Sequence, residues 1–250
     1  MFKPRIIPVL LLKGQSLVKS RQFKDFRYIG DPINAVRLFN DMKADELAFF
    51  DILASREGRL APIEVIKTIG EEANMPFAVG GGIRTVRDIQ DIIGAGAEKV
   101  VINTAAVIHP DFISQASRAF GASTISVCMD VKAVPSGGKR VWIKNGSEPT
   151  DYVPADFARL MEEKGAGEII VQSIENDGMM NGYDIILTRA IAGAVSIPVI
   201  CLGGAGSLLH MAQAREEGYA SALAAGSMFV FHGPQKGVLI NYPEKAEVLF

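Results

Sequence analysis

The sequence predicts an α/β protein, a closed (β/α)8 barrel assembled from two half-barrels, and two observations carry that prediction. Short apolar, β-branched runs alternate with helix-period segments along all 250 residues, the pattern of parallel strands joined by helical crossovers. Eight such units fit a chain of this length. The second observation is an internal repeat. Glu46 and Glu168, Pro76 and Pro198, and Gly96 and Gly218 each stand 122 residues apart, so the second to fourth units are written again as the sixth to eighth. A period this long is a duplicated half-domain and not a solenoid. A doubly wound open sheet is the rival, but its phosphate fingerprint would follow the first strand, whereas here glycine turns follow the third and seventh. The expected domain is single, residues 1–250, with halves near 1–122 and 123–250.

Taken in order, strands are expected at 6–12, 46–52, 77–79, 99–102, 124–131, 168–173, 199–202 and 220–225. Helices are expected at 32–43, 61–73, 85–94, 110–120, 154–164, 184–195 and 207–217. The tail Val238-Leu-Ile-Asn-Tyr-Pro-Glu244 reads as extended, which leaves the eighth helix short or unusual. Two places are irregular. The stretch 13–29 reads as a long polar loop holding Lys19, Arg21 and Lys24, of the kind that forms a lid on a barrel's C-terminal face. The stretch Pro135-Ser-Gly-Gly-Lys-Arg-Val-Trp-Ile143 has hairpin chemistry, Gly-Gly flanked by strand formers.

Composition narrows the function classes. The hydrophobic fraction of 48% and charged fraction of 22% suit a globular core, and a net charge of −2 leaves no basic footprint for nucleic acid. No apolar run reaches 18 residues and the N-terminus lacks a secretory pattern, so no membrane association and a cytoplasmic location are expected. Cys128 and Cys201 sit in apolar strand-like runs and read as buried thiols. His109, His210 and His232 show no ligand spacing, so neither metal nor cofactor is expected.

The candidate chemistry lies at strand ends. Two anion cradles are expected on opposite sides of the mouth. The first uses Gly81-Gly82 with Asn103 and Thr104; the second uses Asp177-Gly178, Gly203-Gly204-Ala205-Gly206 and Gly226-Ser227. Small residues there let backbone N–H groups approach an anion, with hydroxyl or amide groups beside helix starts. A single glycine turn would merely ease a tight connection; two matched pairs imply a ligand with a phosphate at each end. Asp130 ends the fifth strand, between the cradles, where a carboxyl could move a proton; an N-cap or a salt bridge with Lys132 is the plainer role. Aligning Val127–Lys132 with Pro8–Lys13 sets Leu11 opposite Asp130, so a paired acid–base site lacks one member. At the strand starts, Arg5, Glu46, Lys99 and Glu168 alternate in sign, which suits a closed ion ring at the barrel bottom. Such a ring reads either as a stability plug or as the gate of an axial tunnel.

These residues together resemble the cyclase subunit of imidazole glycerol phosphate synthase, a glutamine amidotransferase of histidine biosynthesis (the HisF family). The resemblance runs from Arg5-Ile-Ile-Pro8 through Ala44-Asp-Glu-Leu47, Asp51, Val79-Gly-Gly-Gly-Ile-Arg84 and Asn103-Thr-Ala-Ala-Val107. It continues through Asp130, Gly165-Ala-Gly-Glu168, Gly182-Tyr-Asp184 and Gly203-Gly-Ala-Gly206 to Ala222-Leu-Ala-Ala225. It implies a ribulose-phosphate-binding type of barrel and a lyase or cyclase class of activity. It also implies a glutaminase partner docked at the N-terminal face and ammonia passing a gate of Arg5, Glu46, Lys99 and Glu168. Lys19 matches the lysine of the family's mobile first loop. The family's catalytic aspartates end strands one and five, and here Leu11 replaces the first. Glu175-Asn-Asp-Gly-Met-Met180 also departs from the family's loop pattern. The chain thus looks most like the paralogous group of surface-polysaccharide gene clusters, which resembles the cyclase subunit and is linked to acetamidino-sugar formation. The alternatives are a full cyclase subunit of histidine biosynthesis, and a sugar-phosphate isomerase of related fold.

Overall fold

Strand β1 (Arg5–Lys13) shows how the sequence builds the barrel. Its side chains alternate between two separate apolar regions: Ile6, Leu10 and Leu12 join the shell beneath the helices, while Ile7, Val9 and Leu11 face the barrel axis. Period-two alternation between two buried faces is what makes each strand an almost continuous apolar run. The computed structural model describes residues 3–248, so positions 1–2 and 249–250 of the expected span lie outside it.

After β1 come β2 (Ser16–Arg21), β3 (Lys24–Gly30), α1 (Pro32–Asp41), β4 (Leu47–Asp51), α2 (Ala54–Glu57) and α3 (Ile63–Glu72). The first half closes with β5 (Phe77–Gly80), α4 (Val86–Gly94), β6 (Lys99–Ile102), α5 (Thr104–Ile108) and α6 (Asp111–Phe120). The second half runs β7 (Ile125–Ala133), β8 (Lys139–Ile143), β9 (Glu148–Pro149), α7 (Pro154–Glu163), β10 (Glu168–Ser173) and α8 (Ile185–Ala192). It continues with β11 (Val199–Leu202), α9 (Leu208–Glu216), β12 (Ala222–Ala225), β13 (Phe231–His232) and β14 (Gly237–Val238). Strands β1, β4, β5, β6, β7, β10, β11 and β12 pair in that order, all parallel, and β12 pairs back onto β1 through Arg5↔Ala222 to Pro8↔Ala225. The (β/α)8 barrel is therefore closed, with no free edge.

The predicted strands and helices all fall on observed ones, with ends shifted by a few residues. The stretch 13–29 is a correction. It is not an irregular loop: β2 pairs antiparallel with the end of β1, and β3 pairs with β2. The second hairpin follows the sequence reading, with Asp130↔Trp142 to Ala133↔Lys139 pairing β7 and β8 across a turn that contains Gly137 and Gly138. In place of an eighth helix, a short 3-10 turn (Ser227–Phe229) leads into the β13–β14 ribbon and an extended tail. No helix among the described residues is long and apolar enough to cross a membrane.

Matching helix starts set the two main glycine turns. Thr85 caps α4 in a capping box with Asp88, and Ser207 caps α9 by accepting from the His210 N–H. Ahead of these caps, Gly82 (φ +71°) and Gly204 (φ +110°) occupy left-handed backbone. A Cβ on Gly82 would overlap the Arg59 carbonyl, and one on Gly204 the Gly182 carbonyl. Only glycine fits either position.

Candidate functional site

The C-terminal ends of the barrel strands enclose a cavity of about 390 Å³. Of the mouth residues expected from sequence, Lys19, Gly82, Asn103, Thr104, Asp130, Asp177, Gly178, Gly204, Ala205, Gly226 and Ser227 line it; Gly206 does not, and its N–H donates to the His210 imidazole at 3.1 Å. Leu11 lines it as well, with Phe50, its register partner on β4. The two glycine-rich groups thus open into one cavity, and an apolar pair forms part of the wall between them.

Period-two alternation on β7 aims Ser126, Cys128 and Asp130 toward the axis while Ile125, Val127, Met129 and Val131 fill the shell. Asp130 is buried, and its Oδ1 lies 3.8 Å from the Cys128 sulfur. Burial, reinforced by the charge of Asp177, pushes its carboxyl up to about 7. The Asn103 amide holds the same wall by donating to the Cys128 carbonyl at 2.9 Å. Both cysteines are buried free thiols, and burial pushes each of them up, away from thiolate chemistry.

Lys19 comes from β2 and is buried inside the mouth, where its ammonium donates to the Val9 carbonyl. It sits directly on Gly226, where a Cβ would overlap its Nζ. Burial lowers this amine to about 8, with the Asp177 charge opposing the shift. A cation therefore already occupies the second glycine group.

Asp177 does something the sequence did not suggest. Its carboxylate accepts from Ser20 Oγ at 2.7 Å and from the Phe23 N–H at 3.3 Å, and its carbonyl accepts from the Gln22 N–H at 2.9 Å. The Gln22 side chain adds a bond to the Glu175 carbonyl at 2.8 Å. Asp177 thus fastens the β2–β3 hairpin across the cavity rim, and Gly178 lies against the Ser20 carbonyl. Burial raises the Asp177 carboxyl, partly offset by the bonds from Ser20 and Phe23. Asp51 was singled out only by resemblance. It accepts from the Leu53 and Ala54 N–H groups and pairs with Arg59 at 2.6 Å, which fixes the turn beside Gly81. An Asp at a strand end followed two and three residues later by free helix N–H groups was a readable signal.

At the opposite end of the barrel, the four strand-start charges meet. Arg5 bridges Glu46 and Glu168 (2.7 Å to the latter), and Lys99 bridges the same two carboxylates at 3.6 and 3.0 Å. The ring is closed, and Ser126 adds a bond to Glu168 at 2.7 Å. Burial raises the Glu46 carboxyl against Arg5 and Lys99. Burial acts on Glu168 too, but Lys99, Arg5 and the Ser126 hydroxyl outweigh it and hold that carboxyl low. Just above the ring lies a second, much smaller cavity of about 10 Å³, walled by Glu46, Ser126 and Glu168 and by apolar side chains such as Ile7, Ala48 and Ile170. Val9, Phe50 and Leu202 line both cavities, so these three side chains separate them. Among the described residues no cluster of His, Cys, Asp and Glu could hold a metal ion.

A closed barrel with matched glycine turns at its mouth and an ion ring at its base defines a class, and the comparisons agree with it. Residues 5–234 match the family described as histidine biosynthesis protein. A Pseudomonas aeruginosa protein with the provisional name imidazole glycerol phosphate synthase subunit hisF2 is 42% identical over 98% of this chain and 97% of its own. Proteins provisionally named as the HisF subunit of the same synthase are 44% identical in Leptospira borgpetersenii, over 97% of this chain and 96% of theirs, and 40% identical in Leptospira interrogans over the full length of both. The chain belongs to the HisF family of histidine biosynthesis proteins.

Proposed function

We propose that this chain is the ammonia-accepting, cyclase-like subunit of a glutamine amidotransferase complex. A glutaminase docks on the N-terminal face, ammonia passes the ring of Arg5, Glu46, Lys99 and Glu168, and it travels up the apolar axis to the mouth. There the two cradles hold a phosphorylated acceptor between Gly82, Asn103 and Thr104 on one side and Gly178, Gly204, Ala205, Gly226 and Ser227 on the other. The observation that carries this reading is the combination of a complete ion ring with an incomplete acid–base pair. The four ring residues are paired with one another, whereas Leu11 stands where a second carboxyl would be needed opposite Asp130. A barrel that keeps its nitrogen entrance and loses half of its ring-closing machinery is suited to adding nitrogen without cyclisation. As the ammonia lone pair adds to a carbonyl carbon of the acceptor and the C=O π pair moves onto the oxygen, Asp130, poised near neutral pH, takes the proton that the nitrogen sheds. The acceptor class we favour is a precursor of acetamidino sugars in surface-polysaccharide synthesis.

A second reading, the full imidazole glycerol phosphate synthase subunit, is favoured by the names of the relatives. One pair of assays separates the two. The chain is mixed with a glutaminase subunit from the same genome and run on a sizing column, then supplied with ammonia and the ribulosyl formimino substrate of the histidine pathway. We expect a stable complex and a cyclisation rate no higher than background. Absence of a complex contradicts the first reading, and a rate well above background establishes the second.

A further inference from the structure

The ion ring sits where the β1–β4 ladder has no paired register. That ladder pairs Val9↔Ala48 through Leu12↔Asp51, yet Arg5 and Glu46 lie below its first pair. Side chains take over at that level. The Asp45 carboxylate accepts from the Ile6 N–H at 3.1 Å. The Tyr242 hydroxyl accepts from the Asp45 N–H at 3.1 Å and donates to the Ile6 carbonyl, also at 3.1 Å. Ile6 and Asp45 are the chain neighbours of Arg5 and Glu46.

Tyr242 belongs to the tail that replaces the eighth helix. Bonds from the Leu239 N–H to the Val230 carbonyl (3.0 Å) and from the Asn241 N–H to the Phe229 carbonyl (2.9 Å) lead the tail to this position. The ring of Tyr242 is wedged against Phe39 edge-on, centroids 6.4 Å apart, and against Phe229 at 5.6 Å. Burial pushes its phenol well above the ordinary tyrosine range, so the hydroxyl keeps its proton and can donate and accept at once. A rigid aromatic held on two sides thus delivers one hydroxyl to two backbone groups, of Ile6 and Asp45, that lie below the paired register of β1 and β4.

We propose that Tyr242 is a positioning residue of the ion ring, fixing the starts of β1 and β4 at the relative height at which Arg5 meets Glu46. The hydroxyl touches neither charge; it acts through the backbone of Ile6 and Asp45. The further statement that this geometry matters for nitrogen entry rests on the proposed ammonia route.

Tyr242→Phe removes the hydroxyl and keeps the packed ring. Amide exchange followed by NMR should quicken about fivefold at Asp45, the factor of one ordinary net hydrogen bond. The Arg5 guanidinium signals, held slow in exchange by two carboxylates, should broaden or vanish. Val248→Ala is the control for mere loosening of the tail, since Val248 is buried in the outer core and takes no part in these bonds; it should leave both signatures unchanged. Wild-type exchange at Asp45 and an unaltered Arg5 signal in Tyr242→Phe would overturn the proposal, as would equal changes in Val248→Ala. In the complex with the glutaminase, Tyr242→Phe should also lower glutamine hydrolysis. If Arg5 is freed and hydrolysis is untouched, the positioning role stands and the ammonia route through the ring fails.

Discussion

Asp130 is a buried carboxyl beside Cys128 and Asn103, and its protonation changes the charge of the mouth. Its ordinary range is near 4, while in the fold it titrates at about 7. Between those values the folded chain keeps a proton that the unfolded chain has shed, so Asp130 makes stability fall as pH rises through that window. Asp130→Asn should therefore stabilise the protein at pH 8 by roughly 2–4 kcal/mol and leave pH 4 almost unchanged. Denaturant midpoints at the two pH values check this. Leu11→Asp asks the converse question. Placing a carboxylate in the partly buried wall should cost about 1–3 kcal/mol, and with ammonia supplied it should bring cyclisation of the ribulosyl formimino substrate above the wild-type rate. The place of both residues at the mouth was legible in the sequence, because the internal repeat aligns Leu11 with Asp130. The second role of Asp177 was not legible. Nothing local announces that a carboxylate in an Asp-Gly turn will be claimed by Ser20, 157 positions earlier in the chain.

The element that sequence reasoning missed is the β2–β3 hairpin. Its turn places Gln22 and Phe23 at positive φ (54° and 61°), with no Asn-Gly or Gly to mark it. Five of the seven residues of β3 are exposed, so no alternation betrays a strand. The helices were legible because capping residues and apolar periodicity agreed, as at Thr85 and Ser207. The hairpin carries Lys19 into the mouth, and that gives it a measurable pH response. Above about 8 the amine loses its charge, so the affinity of the mouth for an anion should fall as pH rises through that value. Calorimetric titration with inorganic phosphate from pH 6.5 to 9 should show this fall, and Lys19→Met should bind weakly and without that pH step. Ser20→Ala removes one bond between the hairpin and Asp177, and amide exchange across residues 20–23 should quicken while that of the barrel strands holds.

At the scale of the whole molecule, a duplicated pattern of inward and outward side chains produces two different ends from one set of strands. Continuing the same inward register downward on β1, β4, β6 and β10 delivers four charges to one ring. Continuing it upward on β7 delivers Asp130 to the mouth. The barrel was legible because hydrophobic alternation and the repeat of 122 positions act over many residues and reinforce each other. The tail was not legible beyond being extended, since its place beneath β1 and β4 is set by backbone bonds to Phe229 and Val230 and by contacts of Tyr242 with Ile6, Asp45 and Phe39, which are far away in sequence. The ring is charged, paired and seated below an apolar axis, and the proposed ammonia route requires a neutral molecule to cross it. The most direct test is the rate at which the glutaminase hydrolyses glutamine alone, with this chain, and with its Arg5→Ala variant. We expect stimulation of at least about fivefold by the wild-type chain, largely lost in the variant although the complex still forms. A complex without stimulation, or equal stimulation by the wild-type chain and by Arg5→Ala, would contradict it.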